Sequence, residues 1–386
     1  MPDRLSTRLS YRHEYERRLR VALVGCGGQA FRNILPTFHY APVELVATCD
    51  VDAGRAAAFA RDHAAARSYG DYRTLLEKEA GALDAVFLAT GYDAAGAPLY
   101  PLQAPLALEA GLHVWMEKPP AARVEQIEAL REVRDRTGRQ VGVGFMKMFS
   151  PAARKVHEII RRPEFGRPTT FYLRDPEMLP PREVRHDLRR MVYVLDHVVH
   201  SASLIHHLMG PVRRLYLEEG PGGESVVTLK FTSGACGVLH MPWGQSGMCP
   251  KERFEVVGQG ANVVVENNHR LTYYRPGHPG GGPYEYGRIG DFTGADDCAP
   301  LVWEIDGYSG QPFNMHIFYQ GYAEEVLYFC QCLLEGRPVR LAGLEDAWHI
   351  TRFFEALQSA GDQPVELPDA PAWTRIDDRG IPLAQA

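Results

Sequence analysis

Leu19-Arg20-Val21-Ala22-Leu23-Val24-Gly25-Cys26-Gly27-Gly28-Gln29-Ala30 is the stretch that decides the fold. A short aliphatic, β-branched run ends in glycine, and the segment after it reads as a helix to about Tyr40, giving strand, tight turn and helix in that order. The turn fits G-x-G-x-x-G/A. In that pattern Gly25 permits the sharp bend, Gly27 lets backbone amides approach a pyrophosphate, and Ala30 keeps the helix close to the strand. Gly28 and Gln29 open the helix, whose N-terminus carries partial positive charge. Glycine turns after strands are common, so the context must carry the assignment. Residues 43–50 read as a second strand ending in Asp50, where a carboxylate bonds the adenosine ribose hydroxyls and repels a 2′-phosphate. The cofactor expected is NAD in preference to NADP, with Arg55 nearby as the residue that could accommodate a phosphate instead.

Working outward, residues 53–66 read as a helix and residues 84–90 and 113–116 as buried strands, separated by a helix over 102–110 that stops at Gly111. A helix over 124–137, stopped by Gly138, and a strand over 140–144 complete a doubly wound βαβ series. After Phe149 the pattern changes. A helix over 151–161, a strand over 169–173, a long polar loop and a helix over 187–209 precede short strands at 226–231, 235–241, 254–257, 263–266 and 271–274. Tight turns between short strands make an antiparallel sheet. Residues on both faces of these strands read as apolar, which would place one face on the core and the other on a second subunit. A Gly/Pro-rich loop over 276–283 and helices near 320–334 and 344–360 close the chain. The expected architecture is an N-terminal extension (1–18), an α/β Rossmann dinucleotide-binding domain (19–149), and an α+β substrate-binding and oligomerisation domain (150–386) with a large, mainly antiparallel open sheet.

The chain has 386 residues and a net charge of −6, so nothing attracts it generally to nucleic acid or to an anionic membrane. No apolar run reaches the roughly 18 residues that span a bilayer, and residues 1–20 are polar and Arg-rich without an apolar signal core, so a cytoplasmic location and no membrane partner are expected. The seven cysteines (26, 49, 236, 249, 298, 330 and 332) are scattered without a C-x-x-C pair, and read as buried or inert thiols rather than a disulfide framework or zinc site. Small-molecule chemistry is the expected class.

Three further segments bear on chemistry: Glu117-Lys118-Pro119, Gly144-Phe145-Met146-Lys147-Met148-Phe149, and Asp196-x-x-x-His200. Lys followed by Pro is alone an ordinary turn signal. In this order, and with Gly321-Tyr322-Ala323-Glu324-Glu325 later, the chain from about residue 20 to 364 resembles the Gfo/Idh/MocA family of NAD(P)-dependent oxidoreductases, the relatives of glucose-fructose oxidoreductase and inositol dehydrogenase. The resemblance implies that Lys118 lies between the nicotinamide and the substrate hydroxyl, with Asp196 and His200 completing a catalytic triad. Oxidising a secondary alcohol requires a base for the hydroxyl proton, and the reverse reaction an acid; the Asp196 to His200 spacing puts both on one helix face. His200 is read as proton donor and acceptor, Lys118 as the polarising group and Asp196 as substrate anchor, although Lys118 and His200 could exchange roles. Thr90 and Glu117 are expected to line the cofactor, and Lys147, Arg174 and Asp175 to face the substrate. Without the resemblance, His200 reads as a core histidine, Asp196 as an intrahelical partner and Lys147 as a surface charge. His197, His206 and His207 lack H-E-x-x-H and a completing ligand set, so no metal is expected.

Some positions depart from the family pattern. No histidine follows Ala89-Thr90 before His113, and Gly91-Tyr92-Asp93-Ala94-Ala95-Gly96 stands there instead; Met191-Val192-Tyr193 replaces a glycine-rich approach to Asp196; Val198 and Ser203 stand where relatives have Gly and an acid. These bear on substrate size and orientation. The function implied is an NAD(H)-dependent dehydrogenase or reductase of CH–OH groups, acting on a secondary hydroxyl or ketone of a sugar, cyclitol or sugar derivative, as a homodimer or homotetramer. Two rivals share the fold: NAD-dependent glycoside cleavage through transient oxidation, and a non-catalytic NAD-binding sensor.

Overall fold

A computed structural model describes residues 10–277, 298–305 and 315–374. The first sheet has six parallel strands in the order β3-β2-β1-β4-β5-β6: β1 Leu19–Val24, β2 Val43–Cys49, β3 Arg67–Tyr69, β4 Ala85–Leu88, β5 His113–Met116 and β6 Val141–Val143. β4 and β6 are buried at every position and β1 at every position except Arg20, as expected of parallel strands covered on both faces. Helices α1 Ala53–Asp62, α2 Tyr72–Glu79, α3 Tyr100–Glu109 and α4 Val124–Thr137 provide the cover. β3 and α2 were not read from the sequence.

The helix expected to Tyr40 is not one α-helix. It is a widened turn over Ala30–Ile34, closed by Leu35 N–H donating to the Ala30 carbonyl, followed by a tight 3-10 stretch over Leu35–His39. Pro36 has no N–H to continue an α ladder, so the ladder changes pitch around it.

Among the described residues the second sheet has nine strands, ordered β14-β13-β12-β11-β7-β10-β9-β8-β15. They are β7 Thr170–Arg174, β8 Val212–Glu219, β9 Ser225–Phe231, β10 Cys236–Met241, β11 Arg253–Val257, β12 Asn262–Glu266, β13 Arg270–Tyr274, β14 Leu301–Glu304 and β15 Val365–Glu366. Only β7 and β10 pair in parallel. The expected fold class therefore holds, with β8, β14 and β15 added. Most of the 276–283 loop lies outside the described residues. One face of this sheet is apolar and buried, including Phe171, Leu173, Leu239, Phe254 and Val263. The open face is mixed, with Tyr172, Arg174, Thr228 and Glu255 beside Val226, so the expectation of apolar residues on both faces is corrected. Charged and hydroxyl side chains tolerate the water that one face of an antiparallel sheet meets.

α5 Pro151–Ile159 and α6 Leu188–Met209 underlie the buried face. Asp187 caps α6 by accepting the Arg189 N–H, and Gly210 ends it. α7 Met315–Tyr319, α8 Tyr322–Leu334 and α9 Leu344–Ser359 return to the first sheet. There Phe329 meets Phe87 edge-on at 5.9 Å, and Trp348 Nε1 donates to Glu128 at 2.9 Å. None of the seven cysteines forms a disulfide: 26, 49, 330 and 332 are buried as expected, whereas Cys236 is exposed and Cys249 and Cys298 are half-buried. Cys236 starts an alternating strand on its open side. Among the described residues no helix is long and apolar enough to cross a membrane.

Candidate active site

The glycine turn lies at the C-terminal edge of the first sheet. Gly25 has φ +93°, and a Cβ there would stand 2.3 Å from the Ala89 carbonyl oxygen, so the position requires glycine both for conformation and for space. A Cβ at Gly27 would meet nothing within 4 Å. The main chain is therefore bare where a pyrophosphate would approach, and the residues present fit a dinucleotide. The half-buried Gln29 and the exposed Gly28 follow, and Ala30 is fully buried against the strand.

Asp50 ends β2 and faces the turn. Its Oδ2 accepts the Cys26 N–H at 2.8 Å and its Oδ1 the Asp52 N–H at 2.9 Å, with Arg55 Nη1 3.7 Å from Oδ2. A carboxylate has about four acceptor directions, so Asp50 both braces the turn and retains capacity for a diol. Arg55 is engaged by two acids, Asp50 and Asp52. Three other expected cofactor contacts are tied into the wall of the cleft. Gln29 Nε2 donates to Glu117 Oε1 at 2.6 Å, Asn33 Nδ2 donates to Gln29 Oε1 at 2.7 Å, and Thr90 Oγ1 donates to Gln103 at 2.7 Å. Burial pushes the Glu117 carboxyl up, while Lys118 and Gln29 pull it the other way.

Lys118 leaves the end of β5 with a cis bond to Pro119. Its Nζ donates to the Asp196 carbonyl at 2.9 Å and lies 3.1 Å from Asp196 Oδ1, so the first sheet and α6 meet at this ammonium. Tyr92 OH donates to the same Oδ1 at 2.7 Å. Lys118, Tyr92, Asp196 and Thr90 line one cleft with Gln29 and Glu117. His200 follows Asp196 by one turn of α6. Burial, then the charges of Lys118 and Lys147, push its imidazole well below the usual range, so the ring is neutral at neutral pH.

The expected substrate residues divide. Lys118, Asp196 and His200 are brought together. Lys147 lies near enough to act on His200 but is ion-paired with Glu252, both largely buried. Asp175 is buried and accepts the hydroxyl of Ser201, next to His200, at 2.9 Å. Arg174 alternates with buried Leu173 onto the open face, where it donates to the Pro250 carbonyl at 3.0 Å. Sequence reasoning missed Tyr92, Glu177 and Glu252. Glu177 Oε2 and Glu252 Oε1 are buried acceptors with no hydrogen-bond partner. Burial, then Asp175, pushes the Glu177 carboxyl up.

The remaining histidines of α6 diverge. His197 bonds the Tyr193 carbonyl at 2.8 Å, His206 bonds Asp346 at 3.1 Å, and His207 stacks on His157 at 4.4 Å. Among the described residues no three His, Cys, Asp or Glu converge on a metal position.

Residues 19–145 match the GFO_IDH_MocA model, described as an oxidoreductase family with an NAD-binding Rossmann fold. Over those residues the chain is similar to the Gfo/Idh/MocA oxidoreductases. The chain is 26% identical over 245 residues to the uncharacterized oxidoreductase YrbE of Bacillus subtilis, covering 60% of this chain and 68% of that protein. It is 24% identical to the scyllo-inositol 2-dehydrogenase (NAD(+)) of the same organism, covering 65% and 74%. It spans only 42% of the oxidoreductase ORF334 of Rhizobium meliloti, at 32% identity. The fold matches that of an oxidoreductase domain protein from Kribbella flavida with a TM-score of 0.71 at 20% identity, over 92% of this chain and all of that one. The expected fold class, NAD as cofactor and the NAD(P)-dependent oxidoreductase class acting on CH–OH groups are thus borne out.

Proposed function

We propose that this chain moves a hydride between NAD and a secondary hydroxyl or ketone of a sugar, cyclitol or sugar derivative. The observation that carries the reading is the Lys118 ammonium at the exit of β5, held by Asp196 with His200 one helical turn on. NAD, when bound, supplies the hydride acceptor or donor. Lys118 polarises the substrate oxygen, neutral His200 accepts the hydroxyl proton, and Asp196 fixes the ammonium. Glu177 Oε2 and Glu252 Oε1, buried without donors, suit the hydroxyl groups of a polyol. The names of relatives agree with this: they include inositol 2-dehydrogenase and D-apiose dehydrogenase. A panel of sugars and cyclitols incubated with the protein and NAD should raise absorbance in the reduced-nicotinamide band. Silence across the panel together with cleavage of a glycoside would move the assignment to transient-oxidation chemistry.

Asp50 is proposed to hold the adenosine ribose and to exclude a 2′-phosphate by charge repulsion. NADH should therefore bind more tightly than NADPH in titration, and Asp50→Ala should narrow the gap while weakening NADH itself, because the Cys26 N–H loses its acceptor. Tighter NADPH binding by the unaltered protein would contradict the assignment. The open face of the nine-stranded sheet is proposed as the homo-oligomer contact, since Val226, Tyr274 and Val302 stand exposed on it at 38%, 44% and 47%. Sedimentation at micromolar concentration should show a dimer or tetramer; a strict monomer removes the proposal.

A further inference from the structure

The segment following β4 departs from the family pattern, and it also makes the shortest contact to the acid of the reacting centre. Tyr92 OH donates to Asp196 Oδ1 at 2.7 Å, and Lys118 Nζ is 3.1 Å from that same oxygen. One carboxylate oxygen thus serves a phenol from the loop after β4 and the ammonium of the residue that leaves β5.

The loop that carries Tyr92 is built as a strut. Asp93 Oδ1 accepts the N–H groups of Ala95 and Ala97 at 2.8 and 2.9 Å, Asp93 N–H donates to the Ala97 carbonyl at 2.8 Å, and Tyr92 bridges Pro98. Gly96 adopts φ +82°, and a Cβ there would stand 2.9 Å from the backbone N and Cα of Arg189. The loop therefore lies flat on the first turn of the helix that bears Asp196 and His200, and the tyrosine has little freedom to leave.

We propose that Tyr92 is a positioning residue for hydride transfer, acting through Asp196 to set how strongly Lys118 is held; this rests on the function proposed above. A charge-assisted hydrogen bond from the phenol takes up part of the carboxylate's negative charge. The ammonium is left bound to Asp196 firmly enough to be oriented and loosely enough to engage a substrate oxygen. Burial, then Asp196, pushes the phenol's ionisation up, so Tyr92 remains a donor throughout the working range. The other groups facing Lys118 are Glu117, the residue before it just past the end of β5, and His200 from α6. Removing the phenol hydroxyl would concentrate the Asp196 charge on Lys118, which would be held more firmly and reach the substrate less readily.

The test uses the full chain with NAD and compares Tyr92→Phe, Asp196→Asn and the double variant. Tyr92→Phe should lower kcat about tenfold or more, with substrate KM changed less than about threefold and NAD affinity within about twofold. In the Asp196→Asn background the same change should add less than about twofold, because the tyrosine acts through that carboxylate. Acetic anhydride labelling of Lys118 at pH 8, read by peptide mass spectrometry, should slow about threefold or more in Tyr92→Phe. Unchanged labelling, fully multiplicative effects of the two substitutions, or a parallel loss of NAD binding and thermal stability would each overturn the proposal. Failure of every polyol to reduce NAD would sink the proposed function instead, and the labelling would still decide the role of Tyr92.

Discussion

Lys118→Ala and His200→Ala should each lower turnover by roughly two to four orders of magnitude, the worth of a positioned acid-base group, while NAD affinity changes little. Their effects should combine less than additively, since groups that act as a unit do not contribute independently. Steady-state kinetics and NAD titration of both single variants and the double variant check this. The pH dependence follows from the depressed basicity of His200. Its imidazole sits well below 6.5, so the ring is already unprotonated at neutral pH and able to accept the hydroxyl proton. The rising limb of kcat/KM for alcohol oxidation should therefore lie below pH 6.5, and its assignment to His200 requires that His200→Ala remove it. A His200→Ala enzyme with near-normal turnover and the same pH profile would leave the histidine as packing and pass its role to Lys118.

Gly25→Ala and Gly27→Ala should separate folding from cofactor binding. At Gly25 a methyl would need φ +93° and would meet backbone atoms of Ala89 at 2.3 and 2.6 Å, neither of which can move without disturbing β4. Left-handed strain of about 1–2 kcal/mol and overpacking of about 1–3 kcal/mol should lower the melting temperature by roughly 5–10 °C. At Gly27 the methyl meets no atom within 4 Å. That variant should melt within about 1–2 °C of the parent yet bind NAD about tenfold or more weakly, because the methyl occupies the approach of the pyrophosphate. Differential scanning fluorimetry with and without NAD reads both effects. Full NAD affinity in Gly27→Ala would place the cofactor elsewhere.

Local patterns were legible from sequence and distant pairings were not. α6 was bounded to within a residue because Asp187 caps it and Gly210 ends it, both local signals. β8 escaped because Arg213-Arg214 interrupts its alternation, and the structure shows a register shift there against β9. β15 is two residues long, too short for any period to show. The Lys118, Asp196 and His200 set was found through motifs, but its hydrogen bonds join residues far apart in the chain. Tyr92 and Asp196 are 104 residues apart and Lys147 and Glu252 are 105, distances at which no spacing rule operates. The face Arg174 takes was legible: Phe171 and Leu173 face inward, so the next residue must face out. Glu177 lies in the connection from β7 to α6 and Glu252 in the one between β10 and β11, segments without a periodic pattern to read.

The most direct measurement of the central claim is the fate of the carbinol hydrogen. A polyol substrate deuterated at the carbon to be oxidised should yield NADH carrying that deuterium, detected by mass spectrometry, with the transfer lost in Lys118→Ala although NAD still binds. Reduced nicotinamide free of the label, or label transfer undiminished in Lys118→Ala, would contradict hydride transfer at this site.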